Sequence, residues 1–216
     1  MGAESYQQAQ EWADAVAMQV LDWTWQAFDS LRSSVLSRID FRQPLDQLER
    51  DLTAHHFREI QRVWAQQTEG YSALSPHHEW PEMASRSPAP AKPPAYDIAF
   101  VWSDNPRVAW TIEAKVVPTT GTLAQYLGDT AKFASGTAAP LVTEGAQVAY
   151  LLSGVADVFF SNLSTALSLR LDSVTEFVNR PHRSSMHMRA SAPDLRLHHM
   201  AMLCSNERSE SCAAFQ

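Results

Sequence analysis

The sequence predicts a mixed α/β domain in which helices flank a central β-sheet. Three observations lead to this class. Apolar residues recur at helical spacing through most of the first 67 residues. A hydrophobic strand pair occupies residues 96–117, and helical and strand-like segments then alternate up to residue 203. This order of elements is typical of a layered α/β domain.

Two helices are predicted before the first strand. Residues 7–39 carry apolar side chains at three- and four-residue steps, and Pro44 opens a second helix that runs to about residue 67. We treat residues 1–42 as an N-terminal helical extension and residues 43–216 as the main domain. The first helix is expected to pack on that domain, and binding of a partner through its aromatic residues is the alternative. The predicted buried side of the second helix contains Leu45, Leu48, Leu52, Phe57, Ile60 and Val63.

The segment after these helices is rich in proline. Residues 70–95 contain half of the chain's 12 prolines, which predicts a loop with one short strand near residues 78–80. Beyond the strand pair, apolar periodicity and bounding glycines predict the remaining elements. These are a helix at residues 122–135, a buried strand at 146–154, a helix from residue 156 and a last strand at 194–203.

Composition and charge limit the classes of protein. Of the 216 residues, 45% are hydrophobic and 19% are charged, as in folded globular proteins. The net charge of −7 argues against a general polyanion-coating protein, but a basic groove can lie on an acidic body. We find no secretory signal and no apolar stretch long enough for a membrane span. Cys204 and Cys212 are expected to be free thiols, so the predicted compartment is the cytoplasm.

The strand pair YDIAFVWSDNPRVAWTIEAKVV carries charged residues in otherwise apolar strands. Glu113 and Lys115 share one face of the second strand, because alternate side chains point the same way. If the hairpin is symmetric about Asn105, Asp97 lies opposite Glu113, with their Cβ atoms about 5 Å apart. Two such carboxylates repel each other, and a bound divalent cation would remove that penalty. Oxygen ligands suit Mg²⁺ or Mn²⁺, and Lys115 could orient a bound water or stabilise charge on a phosphate.

The pattern of Asp97 followed by Glu113-Ala114-Lys115 resembles the PD-(D/E)xK nuclease superfamily, with its restriction-endonuclease-like fold. The resemblance implies a mixed central sheet flanked by helices, and hydrolysis of phosphodiester bonds with one or two divalent metal ions. It assigns metal binding to Asp97 and Glu113, and assistance of the attacking water to Lys115. Tyr96 stands where the motif name has proline, which is a common departure in so loose a motif.

The resemblance covers residues 45–203 and directs attention to polar residues on flanking elements. The superfamily often has an acidic residue on the helix before the first core strand. Glu49 is our first candidate and Glu59 the second, and a solvated helix carboxylate is the alternative for each. The candidate substrate-binding residues are Gln125, Tyr126 and Lys132 on the following helix, and His198, which we expect to be freer than His199, on the last strand.

We therefore expect a metal-dependent endonuclease, with DNA favoured over RNA as its substrate. Residues 113–154 also resemble small nuclease-like proteins of bacterial defence or mobile-element loci, and this resemblance implies a role in anti-phage or mobile-element defence. The alternative is a catalytically inactive nuclease-like subunit for binding or assembly, favoured by the acidic net charge and the lack of a visible basic recognition segment. A homodimer or a regulatory protein partner is compatible with both readings.

Overall fold

The sheet and its helices are seen in a computed structural model, which describes residues 3–69, 72–82 and 95–204, without the side chains of residues 3–14. The described residues form one seven-stranded mixed sheet and four α-helices. In chain order these are α1 (Ala3–Ser34), α2 (Leu45–Thr68), β1 (Leu74–Pro81), β2 (Ala95–Trp102), β3 (Asn105–Val117), α3 (Ala124–Ala134), β4 (Glu144–Leu151), α4 (Ala156–Leu167), β5 (Asp172–Ser173), β6 (His182–His187) and β7 (Leu195–Leu203).

The strands lie in the order β1-β2-β3-β4-β7-β6-β5. The first three form an antiparallel meander, β3, β4 and β7 are parallel to one another, and β6 and β5 return antiparallel. The mixed α/β class predicted from the sequence is therefore confirmed. The long parallel centre explains why β4 is buried along its whole length, since helices cover both of its faces.

The two faces of the sheet are covered by different helix pairs. Helices α1 and α2 pack on one face, where Trp23 stacks on Phe100 of β2 and the apolar side of β3 is buried. Helices α3 and α4 pack on the other face, around Tyr126 and Phe159. The hydrophobic core thus runs without a break from the described side chains of α1 into the sheet.

The register of the β2–β3 hairpin agrees with the predicted one. Ile98 pairs with Ile112 and Val101 with Ala109, which is the register expected for a hairpin symmetric about Asn105, and the pairing ends one residue before Asp97 and Glu113. The turn lies at residues 103–104 instead of at Asn105, and an irregularity between Val101 and Trp102 compensates for the difference.

Several details differ from the sequence-based expectations. Leu45 is exposed because it is the first residue of α2, and Phe57 is only partly buried. Strand β1 is longer than predicted, and β5 and β6 were not predicted at all. Residues 83–94 of the predicted loop, and Cys212, lie outside the described residues.

Two further expectations concern the thiols and the membrane. Cys204 is free and buried, and burial raises its pKa to about 12. Within the described ranges, no helix has the length and apolar character needed to cross a membrane.

Candidate active site

A cluster of charged side chains lies where β2 and β3 separate. The paired ladder of these strands ends at Ile98 and Ile112. Beyond it, the N–H of Ala114 donates to Oδ2 of Asp97 at 2.8 Å, and the N–H of Val116 donates to Oε2 of Glu49 at 3.2 Å. Side-chain carboxylates thus accept hydrogen bonds from two consecutive outward N–H groups of β3, which would otherwise need partners. The divergence fixes both carboxylates against the strand that carries Glu113 and Lys115.

Lys115 lies at the centre of this cluster. Its Nζ is 2.8 Å from Oε1 of Glu49, 3.4 Å from Oδ2 of Asp129 and 3.9 Å from Oδ2 of Asp97. Burial alone would lower the pKa of Lys115, but the neighbouring carboxylates of Asp97, Glu49 and Asp129 outweigh it and raise that pKa above its ordinary value. Lys115 is therefore a permanent cation in the protein alone.

Glu113 lies among other carboxylates. Burial, followed by the charges of Asp97 and Asp129, raises the pKa of Glu113 well above its ordinary value, and Lys115 offsets only part of this effect. The carboxylate crowding predicted for the strand pair is thus present. A cavity of about 300 Å³ lies beside Glu113 and is also lined by Glu82, Tyr96, Lys132 and Thr137.

Asp129 of α3 belongs to this cluster but was missed by the sequence analysis. It is only 5% exposed, and its Oδ1 accepts a hydrogen bond from Lys132 at 2.6 Å. Its Oδ2 receives no hydrogen bond from any residue that the structure describes. Helical spacing held the signal for this residue, because Gln125, Asp129 and Lys132 are four and three residues apart.

The two acidic candidates on α2 lie in different places. Glu49 contacts Lys115 and the β3 backbone, so it is part of the cluster. Glu59 is buried, and its carboxylate pairs at 2.7 Å with Arg62, which lies one helical turn after it on α2. The structure therefore brings the preferred candidate to the site and not the second one.

Of the candidates on α3, two are at the surface and one is in the core. Gln125 is exposed, and the side chain of Lys132 is 60% exposed at the rim of the cavity beside Glu113. Tyr126 is buried against Phe159, and its hydroxyl lies 3.0 Å from Nδ1 of His199. Tyr126 therefore supports the packing of α3 on the sheet instead of facing a ligand.

His198 requires a correction. It is fully buried, as is His199, so the expectation that His198 is the freer of the two is wrong. Its ring lies 3.0 Å from His182 and 3.4 Å from Glu144. Because Glu113, Gln147 and His199 are aligned across the parallel strands, His198 faces the opposite side of the sheet from the cluster. A cavity of about 610 Å³ lies on that side, next to His198 and Glu144 and away from the charged cluster.

The cluster's composition suits a hard cation, although its geometry is not that of a ready-made metal site. Within the described part of the chain, no three His, Cys, Asp or Glu side chains are arranged as a set of metal ligands. The donors are all carboxylate oxygens, which Mg²⁺ and Mn²⁺ prefer. The buried, unbonded Oδ2 of Asp129 and the crowding around Glu113 are features that a bound dication would relieve.

Comparisons with known proteins add no relative: no family model, no curated protein and no solved structure matches the chain. Chemically, the cluster offers carboxylates for a cation, a fixed ammonium group and an adjoining open cavity. These are the groups needed to bind a phosphate ester and stabilise added negative charge on it.

Proposed function

We propose that this protein is a metal-dependent nuclease that hydrolyses phosphodiester bonds, with DNA as its principal substrate. One observation carries the proposal. Asp97, Glu113, Lys115 and Glu49, which were selected from the sequence alone, lie in one cluster where β2 and β3 diverge, although Glu49 and Lys115 are 66 residues apart in the chain.

The order of the elements around the cluster also supports a restriction-endonuclease-like fold. Helix α2 precedes the antiparallel meander β1-β2-β3, α3 follows β3, and the buried strand β4 lies parallel to β3. This is the setting of hairpin, preceding helix, following helix and next buried strand that the resemblance requires. In this proposal the cluster lies at the end of the hairpin where the motif's residues meet.

Asp97 and Glu113 are the residues that would hold Mg²⁺ or Mn²⁺. When bound, the cation would polarise the phosphate and lower the pKa of a coordinated water. The chain itself prepares the site for such a charge. Four carboxylates, from Glu49, Asp97, Glu113 and Asp129, face two ammonium groups, from Lys115 and Lys132. Burial and the charges of Asp97 and Asp129 raise the pKa of Glu113 in the protein alone, and a bound cation would favour its ionised form.

Lys115 acts in this proposal as a cation and not as a base. Its pKa is raised by its carboxylate neighbours, so it holds its proton at neutral pH. Its ammonium group can therefore donate a hydrogen bond to the attacking water or to a phosphate oxygen, where negative charge develops. Glu49 fixes the position of this ammonium group through the 2.8 Å contact, and is itself fixed by the N–H of Val116.

Lys132 is the candidate that faces the substrate. Its side chain is mostly exposed at the rim of the cavity beside Glu113, and its Nζ is held by an ion pair with the buried carboxylate of Asp129. A restrained cation next to the carboxylates suits a phosphate group of a nucleic acid strand. Gln125 is also exposed on α3, one helical turn before Asp129 and two before Lys132. Its side-chain amide could donate a hydrogen bond to the same nucleic acid strand.

The alternative, a nuclease-like subunit that binds or assembles without catalysis, is favoured by a different observation. Lys115 already neutralises part of the cluster, and the described residues contain no ready-made metal-ligand group. In such a protein the ion pairs would be structural. Metal binding separates the two readings, because only the nuclease requires it.

The experiment is to incubate plasmid, linear and single-stranded DNA, and RNA, with the protein in Mg²⁺, Mn²⁺ or EDTA. Wild type is compared with Lys115→Ala, after circular dichroism has shown that the variant is folded. The nuclease predicts metal-dependent cleavage that is lost in Lys115→Ala, and the substrate that is cut most efficiently identifies the nucleic acid. Absence of cleavage in every metal would favour the binding subunit, and cleavage that survives in Lys115→Ala would place the active site elsewhere.

A further inference from the structure

Helix α3 contributes a carboxylate that the nuclease motif does not contain. Asp129 lies sixteen residues after Glu113, on a different element, and the two side chains interact electrostatically. A further role for Asp129 at the same cation site, as a residue that contacts the cation, rests on the proposed function.

The two oxygens of Asp129 have different surroundings. Oδ1 accepts a hydrogen bond from Lys132 at 2.6 Å, and this lysine is largely in solvent. Oδ2 is buried, receives no hydrogen bond within the described residues, and forms an ion pair with Nζ of Lys115 at 3.4 Å. A carboxylate oxygen that is removed from water without a donor is unfavourable. Lys115 contacts Oδ2 only as an ion pair and donates no hydrogen bond to it, so this oxygen keeps acceptor capacity for a bound cation.

The position of that oxygen places it with the motif's carboxylates. Lys115 contacts Asp129 on one side and lies 3.9 Å from Asp97 on the other, so the carboxylates of Asp97 and Asp129 are both close to the same ammonium group. Both also act on Glu113, which lies on β3 two residues before Lys115. Oxygen atoms from β2, β3 and α3 thus surround one small region.

We propose that Asp129 is a third carboxylate ligand of the divalent cation, together with Asp97 and Glu113, and that the cation draws together these three described side chains, which are not arranged as a ligand set in the protein alone. The unbonded Oδ2 is the ligand atom, and Oδ1 keeps its hydrogen bond to Lys132. Asp129 then links the cation to a lysine that faces the substrate, so that both charges are positioned by one buried side chain on a rigid helix. A purely structural Asp129 would instead serve only to hold Lys132 and Lys115.

The test measures binding of Mn²⁺ alone, without substrate, by isothermal titration calorimetry, supported by the Mn²⁺-induced rise in melting temperature. Asp129→Asn preserves size and one acceptor oxygen but removes the charge. The matched control is Glu59→Gln, because Glu59 is also 5% exposed and also pairs with a cation three residues away, but lies outside the cluster.

We expect Asp129→Asn to weaken Mn²⁺ binding by about tenfold or more, since loss of groups that only support a metal ligand already costs about 10–100-fold. Glu59→Gln is expected to bind Mn²⁺ as wild type does. Asp129→Glu, which keeps the carboxylate, is expected to restore part of the affinity. Equal Mn²⁺ affinity in wild type and Asp129→Asn would overturn the inference and leave the proposed function intact.

A second variant separates a ligand from a positioning residue and does not depend on the folding of Asp129→Asn. Lys132→Met removes the lysine that Asp129 holds and leaves the carboxylate in place. If Asp129 is a ligand, Lys132→Met binds Mn²⁺ at least as tightly as wild type, because a competing positive charge is gone. A tenfold loss in Lys132→Met would mean that Asp129 acts through the lysine. Absence of Mn²⁺ binding by wild type would overturn both this inference and the proposed nuclease.

Discussion

The ion pair between Lys115 and Glu49 can be tested by its contribution to stability, independently of catalysis. The substitution Lys115→Met removes the ammonium group and keeps a stem of similar length. It leaves Glu49 and the buried Asp129 without the cation that contacts both of them at 2.8 and 3.4 Å. The free energy of unfolding should therefore fall even when no metal is present.

The magnitude follows from the burial of the pair. Breaking a fully buried ion pair by removal of one partner costs about 3–5 kcal/mol. The side chains of Lys115 and Glu49 are 17% and 22% exposed, so water moderates the loss. We expect a decrease of about 2–3 kcal/mol, which for a domain of this size lowers the melting temperature by roughly 5–10 °C.

The assay is urea denaturation in EDTA at pH 7, as a double-mutant cycle of Lys115→Met and Glu49→Gln. The control cycle uses Arg50→Met and Asp46→Asn, whose charged groups are also 2.8 Å apart but are 64% and 74% exposed. The exposed pair is expected to contribute about 0.3–0.5 kcal/mol, and the Glu49–Lys115 pair at least about 1 kcal/mol. A coupling energy for Glu49 and Lys115 no larger than that of the control pair would refute the reasoning.

Two further predictions concern the core. His56 is buried between Tyr150 and the carbonyl oxygen of Thr24, and burial lowers its pKa to about 4. The unfolded chain therefore takes up a proton below pH 6.5 that the folded protein does not, and stability is lost as the pH falls from about 6.5 to 4. His56→Gln should remove a slope of up to about 1.4 kcal/mol per pH unit from the unfolding free energy in this range. An unchanged slope, measured by denaturation at several pH values, would show that the neutral histidine is not the cause. Trp23 is fully buried and stacks on Phe100, so Trp23→Ala should lower the free energy of unfolding by about 3–5 kcal/mol. We expect α1 and the sheet of this variant to unfold together in a single transition. A loss below about 1 kcal/mol in the same measurement would show instead that α1 is a separable extension.

The hairpin and the residues on it could be predicted because they depend on local rules. Alternation along β3 predicts which side chains share a face, and the distance from the turn predicts the register that pairs Ile98 with Ile112, the neighbours of Asp97 and Glu113. The turn lies at residues 103–104 and not at Asn105, but the irregularity between Val101 and Trp102 shifts the pairing back. The predicted register of the strands is therefore correct although the predicted turn is not. Glu49 was reached through the family resemblance and lies in the predicted cluster.

The residues that were missed or misplaced depend on how elements pack in three dimensions. Asp129 comes to the cluster because α3 crosses the face of the sheet that carries Glu113, which no spacing within the strand pair shows. His198 was expected to be the freer histidine because it shares a face with Arg196, but β7 is covered on both faces, so alternation does not separate exposed from buried positions there. Strand β5 has only two residues and is stabilised by pairing with β6, which leaves little signal in its own sequence.

The measurement that tests the central claim most directly is cleavage of supercoiled plasmid DNA in Mn²⁺ by wild type, Asp97→Asn and Glu59→Gln. Asp97 accepts a hydrogen bond from the β3 backbone inside the cluster, whereas Glu59 pairs with Arg62 outside it. The account predicts that wild type and Glu59→Gln cut the plasmid, that EDTA stops both, and that Asp97→Asn is slower by about 100-fold or more. Cleavage by Asp97→Asn at the wild-type rate would contradict the account, because the cluster at the β2–β3 divergence would then not be the catalytic site.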